Sequence, residues 1–167
     1  MTSLAGSFLV ASPMLEDPNF ARAVVLLLQH GPDGAFGLVV NRPAHIEGVP
    51  LPLFAGGPCP VEGVLMVHGH AEWAQPAPDQ PKAQIAPGIF VGDASCLSRI
   101  SDAQPGQPLR FRIFRGYAGW GPEQLEGELE AGAWRVVPAS GQLLFGTPPE
   151  ELWGRLMPPR IPESSLN

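Results

Sequence analysis

The stretch Ala21-Arg22-Ala23-Val24-Val25-Leu26-Leu27-Leu28-Gln29, followed by His30-Gly31-Pro32-Asp33-Gly34 and then by Ala35 to Asn41, decides the fold. Val24 to Leu28 are apolar without alternation. Strand side chains point alternately to the two faces, so this run predicts a strand buried on both. The Gly-Pro-Asp-Gly run supplies turn chemistry, and Ala35 to Asn41 is a second apolar strand. Together they read as a central hairpin.

Upstream, Ser7 to Ala11 is predicted as a first strand, and Pro13, Asp17 and Pro18 turn the chain toward the hairpin. Downstream, Arg42 to Glu62 is punctuated by prolines and by Gly56-Gly57-Pro58, which predicts loop with one short extended piece. Val64 to His68 and Ile89 to Val91 are strands on either side of a second proline-rich loop, Ala71 to Pro87, and Asp93 caps a brief helix over Ala94 to Ile100. Leu109 to Phe114 alternates, with Leu109, Phe111 and Ile113 on one face and Arg110 and Arg112 on a wet one. A glycine turn, Gly116 to Gly121, leads to Pro122 at a first helical position and a helix over Glu123 to Ala131 that stops at Gly132. Trp134 to Val137 and Leu143 to Phe145 read as further strands. Pro148 or Pro149 opens a last helix that reaches Leu156, before a frayed tail over 158–167. One α+β domain over 1–157 follows.

Composition agrees and narrows the chemistry. The 167 residues are 44% hydrophobic and 16% charged, the balance of one ordinary domain. The 20 glycines and 21 prolines exclude a long-helix bundle, because each proline removes an amide donor. A net charge of −6 disfavours binding to phosphate backbones or anionic lipid. Lys82 is the only lysine and sits in a proline-rich run, a poor support for a Schiff base or phosphate loop. Cys59 and Cys96 have no secreted-framework spacing and are expected as reduced thiols. No signal-peptide pattern and no apolar run near membrane-span length are present, so a cytoplasmic location is expected.

Four constellations carry candidate chemistry. Arg115-Gly116-Tyr117-Ala118-Gly119-Trp120-Gly121-Pro122-Glu123 is a strand, glycine turn and helix start, which presents free amides to an anion; its spacing is G-x-x-G-x-G, not the dinucleotide fingerprint, and a tight structural turn packed by Tyr117 and Trp120 is the competing reading. His68-Gly69-His70 puts two imidazoles on one side of a strand end. With Glu72, Asp93 or His30 they can hold zinc, against the plainer alternative of one hydrogen-bonded and one exposed histidine. Ser95, Cys96 and Ser140 lack a nucleophile elbow. Arg110 and Arg112, with Arg115, form a basic stripe that suits phosphate or a partner's carboxylates, or simply a solvated sheet face. Asn41-Arg42-Pro43 and Gly56-Gly57-Pro58 are turn segments expected to border one cleft.

Several segments together resemble the YqgE/AlgH family of bacterial proteins. They are Gly6 through Pro13, Asp17-Pro18-Asn19-Phe20 with Val24 to Leu27, Gly34-Ala35-Phe36-Gly37-Leu38-Val39-Val40-Asn41-Arg42-Pro43, Gly56-Gly57-Pro58, His68, and Gly116 to Leu129 closing on Ala133-Trp134. The resemblance implies a single α+β domain with a mainly antiparallel, barrel-like β core and flanking short helices. Members have been named as transcriptional regulators, yet this chain has no helix-turn-helix pattern or basic recognition helix.

The reading that results is a non-enzymatic cytoplasmic binding or regulatory domain without a cofactor. Its expected cleft is bordered by Asn41, Arg42, Gly56, Gly57, Tyr117, Trp120, Gly121 and Glu123, with Arg42 and the helix-start amides facing a small anionic ligand or a protein partner. The alternative is a metal-dependent hydrolase using His68, His70 and Asp93. Partner recognition by the Ala71 to Pro87 loop is a third possibility, and exposed sheet edges leave room for a homodimer.

Overall fold

The computed structural model describes residues 3–15, 17–44, 52–60, 63–73, 84–92, 94–102 and 109–157. Asp93, residues 74–83 of the proline-rich loop with Lys82, and the tail over 158–167 lie outside the described residues.

Ten strands follow one another along the described chain: β1 (Ser7–Ala11), β2 (Val24–Gly31), β3 (Gly34–Val39), β4 (Leu53–Ala55), β5 (Leu65–His68), β6 (Gln84–Ala86), β7 (Ile89–Val91), β8 (Phe111–Arg115), β9 (Ala118–Trp120) and β10 (Trp134–Pro138). They are joined by helices α1 (Ala94–Ser101) and α2 (Gln124–Glu130), with α3 (Gly141–Gly146) and α4 (Pro149–Leu156) after β10. The first sheet has the order β10-β1-β2-β3-β9 and the second β4-β8-β5-β7-β6. All pairs are antiparallel except β4 with β8. Both sheets are open, so the expected barrel-like core is corrected to two separate five-stranded sheets facing one another. No described helix is long and apolar enough to cross a membrane.

The double burial expected of β2 is what stacks the layers. Val25 and Leu27, with Leu9, Ala11 and Val39, pack under Leu125 of α2 on one face. Val24, Leu26 and Leu28, with Phe8, Val10 and Leu38, meet Phe54, Val67, Ile89 and Phe114 of the second sheet on the other, beside Leu144 of α3 and Leu152 of α4. A third cluster covers the far face of the second sheet, where Leu53, Met66, Phe111 and Ile113 meet Cys96 of α1. The order is therefore α2, first sheet, second sheet, α1.

Three local readings change. Leu143 to Phe145 is helical, not a strand, because Ser140 caps α3 by accepting the Leu143 amide at 3.2 Å; a short apolar run does not by itself separate helix from strand. The glycine turn after β8 contains a strand, β9, whose Trp120 pairs with Ala35. Helix α2 starts one residue late, since Glu123 adopts a left-handed conformation (φ 64°) and Gly121 to Gln124 forms a turn first.

Opposite edges of the first sheet are tied together through α2. A flat five-stranded sheet is about 19 Å from edge to edge, yet the indoles of Trp120 on β9 and Trp134 on β10 reach inward to 6.1 Å. Both donate to one carboxylate oxygen, Glu128 Oε1, at 3.0 and 2.9 Å, and Gln124 Nε2 donates to the other at 3.2 Å. Glu128→Ala strands both indole N–H groups and is expected to lower stability by about 2–4 kcal/mol in chemical denaturation, with Glu128→Gln costing less because its oxygen still accepts. An unchanged midpoint would show that the two edges hold without this carboxylate.

Candidate functional site

The segment after β3 meets the loop before β2. Asp17 Oδ1 accepts the Asn19 amide at 2.9 Å, and the amides of Phe20 and Ala21 turn back onto the Asp17 carbonyl. This turn, closed by Arg22 in a left-handed conformation (φ 58°), leaves the carbonyls of Asn19, Ala21 and Arg22 pointing toward residues 41 and 42. Arg42 donates to the carbonyls of Asn19 and, at 3.0 Å, Ala21. Asn41 Nδ2 donates to the Arg22 carbonyl at 2.9 Å, while its Oδ1 accepts the Val24 amide at 2.9 Å. Two side chains thus bind four backbone groups of the turn, the Val24 amide at the start of β2 among them. The turn also seats Phe20 between Trp120 and Trp134, at centroid distances of 6.2 and 5.7 Å. Arg42 and Asn41, expected to face a ligand, hold the 17–22 loop in place.

The two glycine corners do meet. The Gly56 amide donates to the Arg115 carbonyl at 2.7 Å, and Cys59 and Tyr117 exchange amide hydrogen bonds at 2.9 and 3.0 Å. The approach is backbone on backbone: a Cβ on Gly56 would strike the Gly116 carbonyl, and one on Gly57 (φ 151°) would strike Tyr117. Tyr117 packs edge-on against Phe36 at 5.2 Å, on the face toward the second sheet, whereas Trp120 lies in the cluster under α2. The two aromatics therefore stand on opposite faces of the first sheet and form no common wall. At the helix start, the Gly121 amide is taken by Gln124 Oε1 at 2.9 Å. Of the eight expected residues, Trp120 lines a cavity of about 410 Å³ that Gln29 to Phe36 bound at the tip of the central hairpin.

Beside that cavity, His30 is fixed from both sides. Its Nδ1 accepts the Leu4 amide at 3.0 Å, which places the ring proton on Nε2, 2.6 Å from Glu126 Oε1. That donated bond is the main reason Glu126 is held below the usual carboxylate range. His30 is thus engaged on the first sheet, away from the histidine pair.

His68 and His70 end β5 in an aromatic stack with Trp73 and Phe90. His68 is fully buried and its Nδ1 accepts the His70 amide at 3.1 Å; His70 is buried and its Nε2 accepts the Arg110 amide at 2.9 Å, while Nδ1 faces Glu72 at 3.4 Å. Among the described residues no group of three metal-ligating side chains occurs, and Asp93, the third expected ligand, lies outside them. The nucleophile candidates fare similarly: Cys96 is buried in the third cluster, and the Ser140 hydroxyl caps α3.

Sequence reasoning missed two arrangements. One is the Glu128 carboxylate between two indoles. The other is the burial around Arg112, whose guanidinium lies 5.5 Å from the ring centres of both Phe54 and Phe145. Alternation marked that face as wet; α3, read as a strand, is what covers it.

Two outcomes follow from these bonds. Arg42→Ala and Asn41→Ala should each lower stability by about 1–3 kcal/mol, measured by denaturant midpoint, and Arg42→Lys should not restore it because one ammonium cannot reproduce the planar fork. Burial, and then the charge of Arg110, lower the His70 pKa. His70 therefore binds its proton more readily in the unfolded chain, so its contribution is complete above about pH 6.5 and fades as pH falls below it. His70→Gln, whose oxygen can still accept the Arg110 amide, should lose less stability than wild type between pH 8 and pH 5; identical pH profiles would contradict this.

With this geometry in hand, comparison with known proteins places the chain. Residues 8–159 match the AlgH-like family, DUF179. A UPF0301 protein of Streptomyces coelicolor is 38% identical, over 94% of this chain and 86% of the relative. One from Myxococcus xanthus is 34% identical, over 92% and 88%. Among solved structures, a Corynebacterium diphtheriae protein superposes with a TM-score of 0.72 at 26% identity, covering 94% of this chain and 87% of that one. The solution structure of AlgH from Pseudomonas aeruginosa gives 0.69 at 30% identity, covering 99% and 93%. The chain belongs to the AlgH-like family.

Proposed function

We propose that this protein is a non-enzymatic binding or regulatory domain of the cytoplasm, which takes a small anion or an acidic group of a protein partner. One observation carries the reading: the described side chains best suited to acid, base or ligand chemistry are committed to the fold. His30 is held between Leu4 and Glu126, His70 between Arg110 and Glu72, Glu128 between two indoles, and Arg42 by two carbonyls. A general base must be able to reach a substrate proton, and a nucleophile needs a base within hydrogen-bond distance. These groups instead face the chain's own backbone and side chains. Regulation enters only through the name carried by the family.

A thermal-shift screen of chelator-stripped protein tests the reading, because a ligand that binds only the native state raises apparent stability, by about 2.7 kcal/mol at a hundred times its Kd. Inorganic phosphate, nucleotides and small carboxylates form one arm; zinc and manganese form the other. Stabilisation in the anion arm without turnover of ester substrates is the expected result. Stoichiometric zinc or manganese uptake with hydrolytic activity would replace the reading with the His68, His70 and Asp93 hydrolase.

A further inference from the structure

Arg112 is a half-buried charge with no counter-charge among the described residues. Its guanidinium lies between Phe54 and Phe145, 5.5 Å from each ring centre, and its one hydrogen bond within the described structure goes to the neighbouring Phe111 carbonyl at 3.1 Å. Two residues away on the same face of the strand, Arg110 donates to the Gly69 carbonyl at 2.8 Å. Among the described residues no carboxylate comes within 4.0 Å of either guanidinium. Glu72, the acid of this neighbourhood, is exposed and turned to His70. Taking an arginine out of water with no anion beside it is unfavourable, and aromatic faces return only part of that cost. Desolvation lowers the Arg112 pKa accordingly.

A hollow adjoins this pair. It measures about 290 Å³ and is lined by Gly69, Gly88, Arg110, Gln142, Phe145 and Gly146. Arg110 faces it directly, and Phe145, the ring against which Arg112 rests, is one of its walls. Gly69 lets two of the walls close on the backbone: a Cβ there would come within 2.9 Å of Arg110 Nε and 3.1 Å of Phe145. The volume is at the small end of ligand pockets, and an apolar wall with a few converging donors is their usual composition.

We propose that this hollow between β8, α3 and the β6–β7 turn binds a small organic oxyanion, its carboxylate or phosphate on Arg110 within the field of Arg112, and its apolar body against Phe145. The proposal deepens the binding reading above by naming the site and the ligand class, and rests on it. Guanidinium suits the task, because its planar fork matches two oxygens of either group. An apolar ligand body also excludes water from the two charges and strengthens the attraction.

The test is calorimetric titration of the full chain with benzoate, phenyl phosphate and inorganic phosphate, with neutral benzamide as control. Benzoate or phenyl phosphate should bind more tightly than inorganic phosphate, and benzamide should not bind. Arg110→Met should weaken binding about ten- to a hundredfold, the value of a charge-assisted contact, and Arg112→Met should weaken it by less, because that guanidinium acts through its field and not by contact. Arg112→Met should also melt no lower than wild type without ligand, since it removes an uncompensated buried charge; stability kept and affinity lost together mark a binding residue. Gly146→Leu gives a second route, because Gly146 lines the hollow and a Cβ there meets no atom within 4 Å beyond its own chain neighbours and helix backbone. Equal affinity in wild type, Arg112→Met and Gly146→Leu would overturn the site while leaving the binding reading intact. Binding of inorganic phosphate alone would overturn the organic ligand class. Failure of every probe on wild type would overturn the proposal, while the binding reading stands or falls by its own broader screen.

Discussion

The structure depends on a central strand that has no wet face. Val24 to Leu28 are buried in the middle of five strands, with α2 above and a second sheet below. A strand in that position cannot turn a polar group to water, and each unpaired peptide group left inside costs as much as a lost hydrogen bond. The ends of β2 must therefore be finished by protein. Asn41 does this at the start by accepting the Val24 amide, and with Arg42 it fastens the adjoining turn through the carbonyls of residues 19, 21 and 22. At the far end, after a bulge between Leu27 and Gln29, His30 is held by Leu4 and Glu126.

Seen this way, the segments that make the sequence distinctive are parts of one closure. Asp17-Pro18-Asn19-Phe20 supplies the turn, Asn41 and Arg42 fasten it, and Phe20 carries the link to Trp120 and Trp134. The glycines at 56, 57 and 116 let two corners touch through their backbones. Residue types that look like ligand-binding chemistry in a string of letters serve folding here, because guanidinium and amide groups are also what an irregular backbone turn requires.

The sequence was legible where one local signal had one physical outcome. The unbroken apolar run of β2 could only be buried on both faces, and the strand over Phe111–Arg115 showed its alternation plainly. It was misleading where the outcome depended on distant partners. Leu143 to Phe145 could be helix or strand until the Ser140 cap decided it. Tyr117 and Trp120 are three residues apart, and only the pairing of β9 with β3 shows that they point to opposite faces. Arg112 read as solvated because nothing nearby in sequence announces that Phe54 and Phe145 will enclose it. Arg112, not Arg42, is a part-buried cation with no carboxylate within 4.0 Å among the described residues.

Native-state hydrogen exchange tests the closure most directly. If Asn41 and Arg42 lock the 17–22 turn to the doubly buried strand, the amides of Phe20, Ala21, Ala23 and Val24 should exchange only with the global unfolding that releases Leu26 and Leu27. Rapid exchange of residues 20 to 24 while the centre of β2 stays protected would contradict the account. It would show a turn that opens on its own and leaves the Arg42 guanidinium available to bind something else.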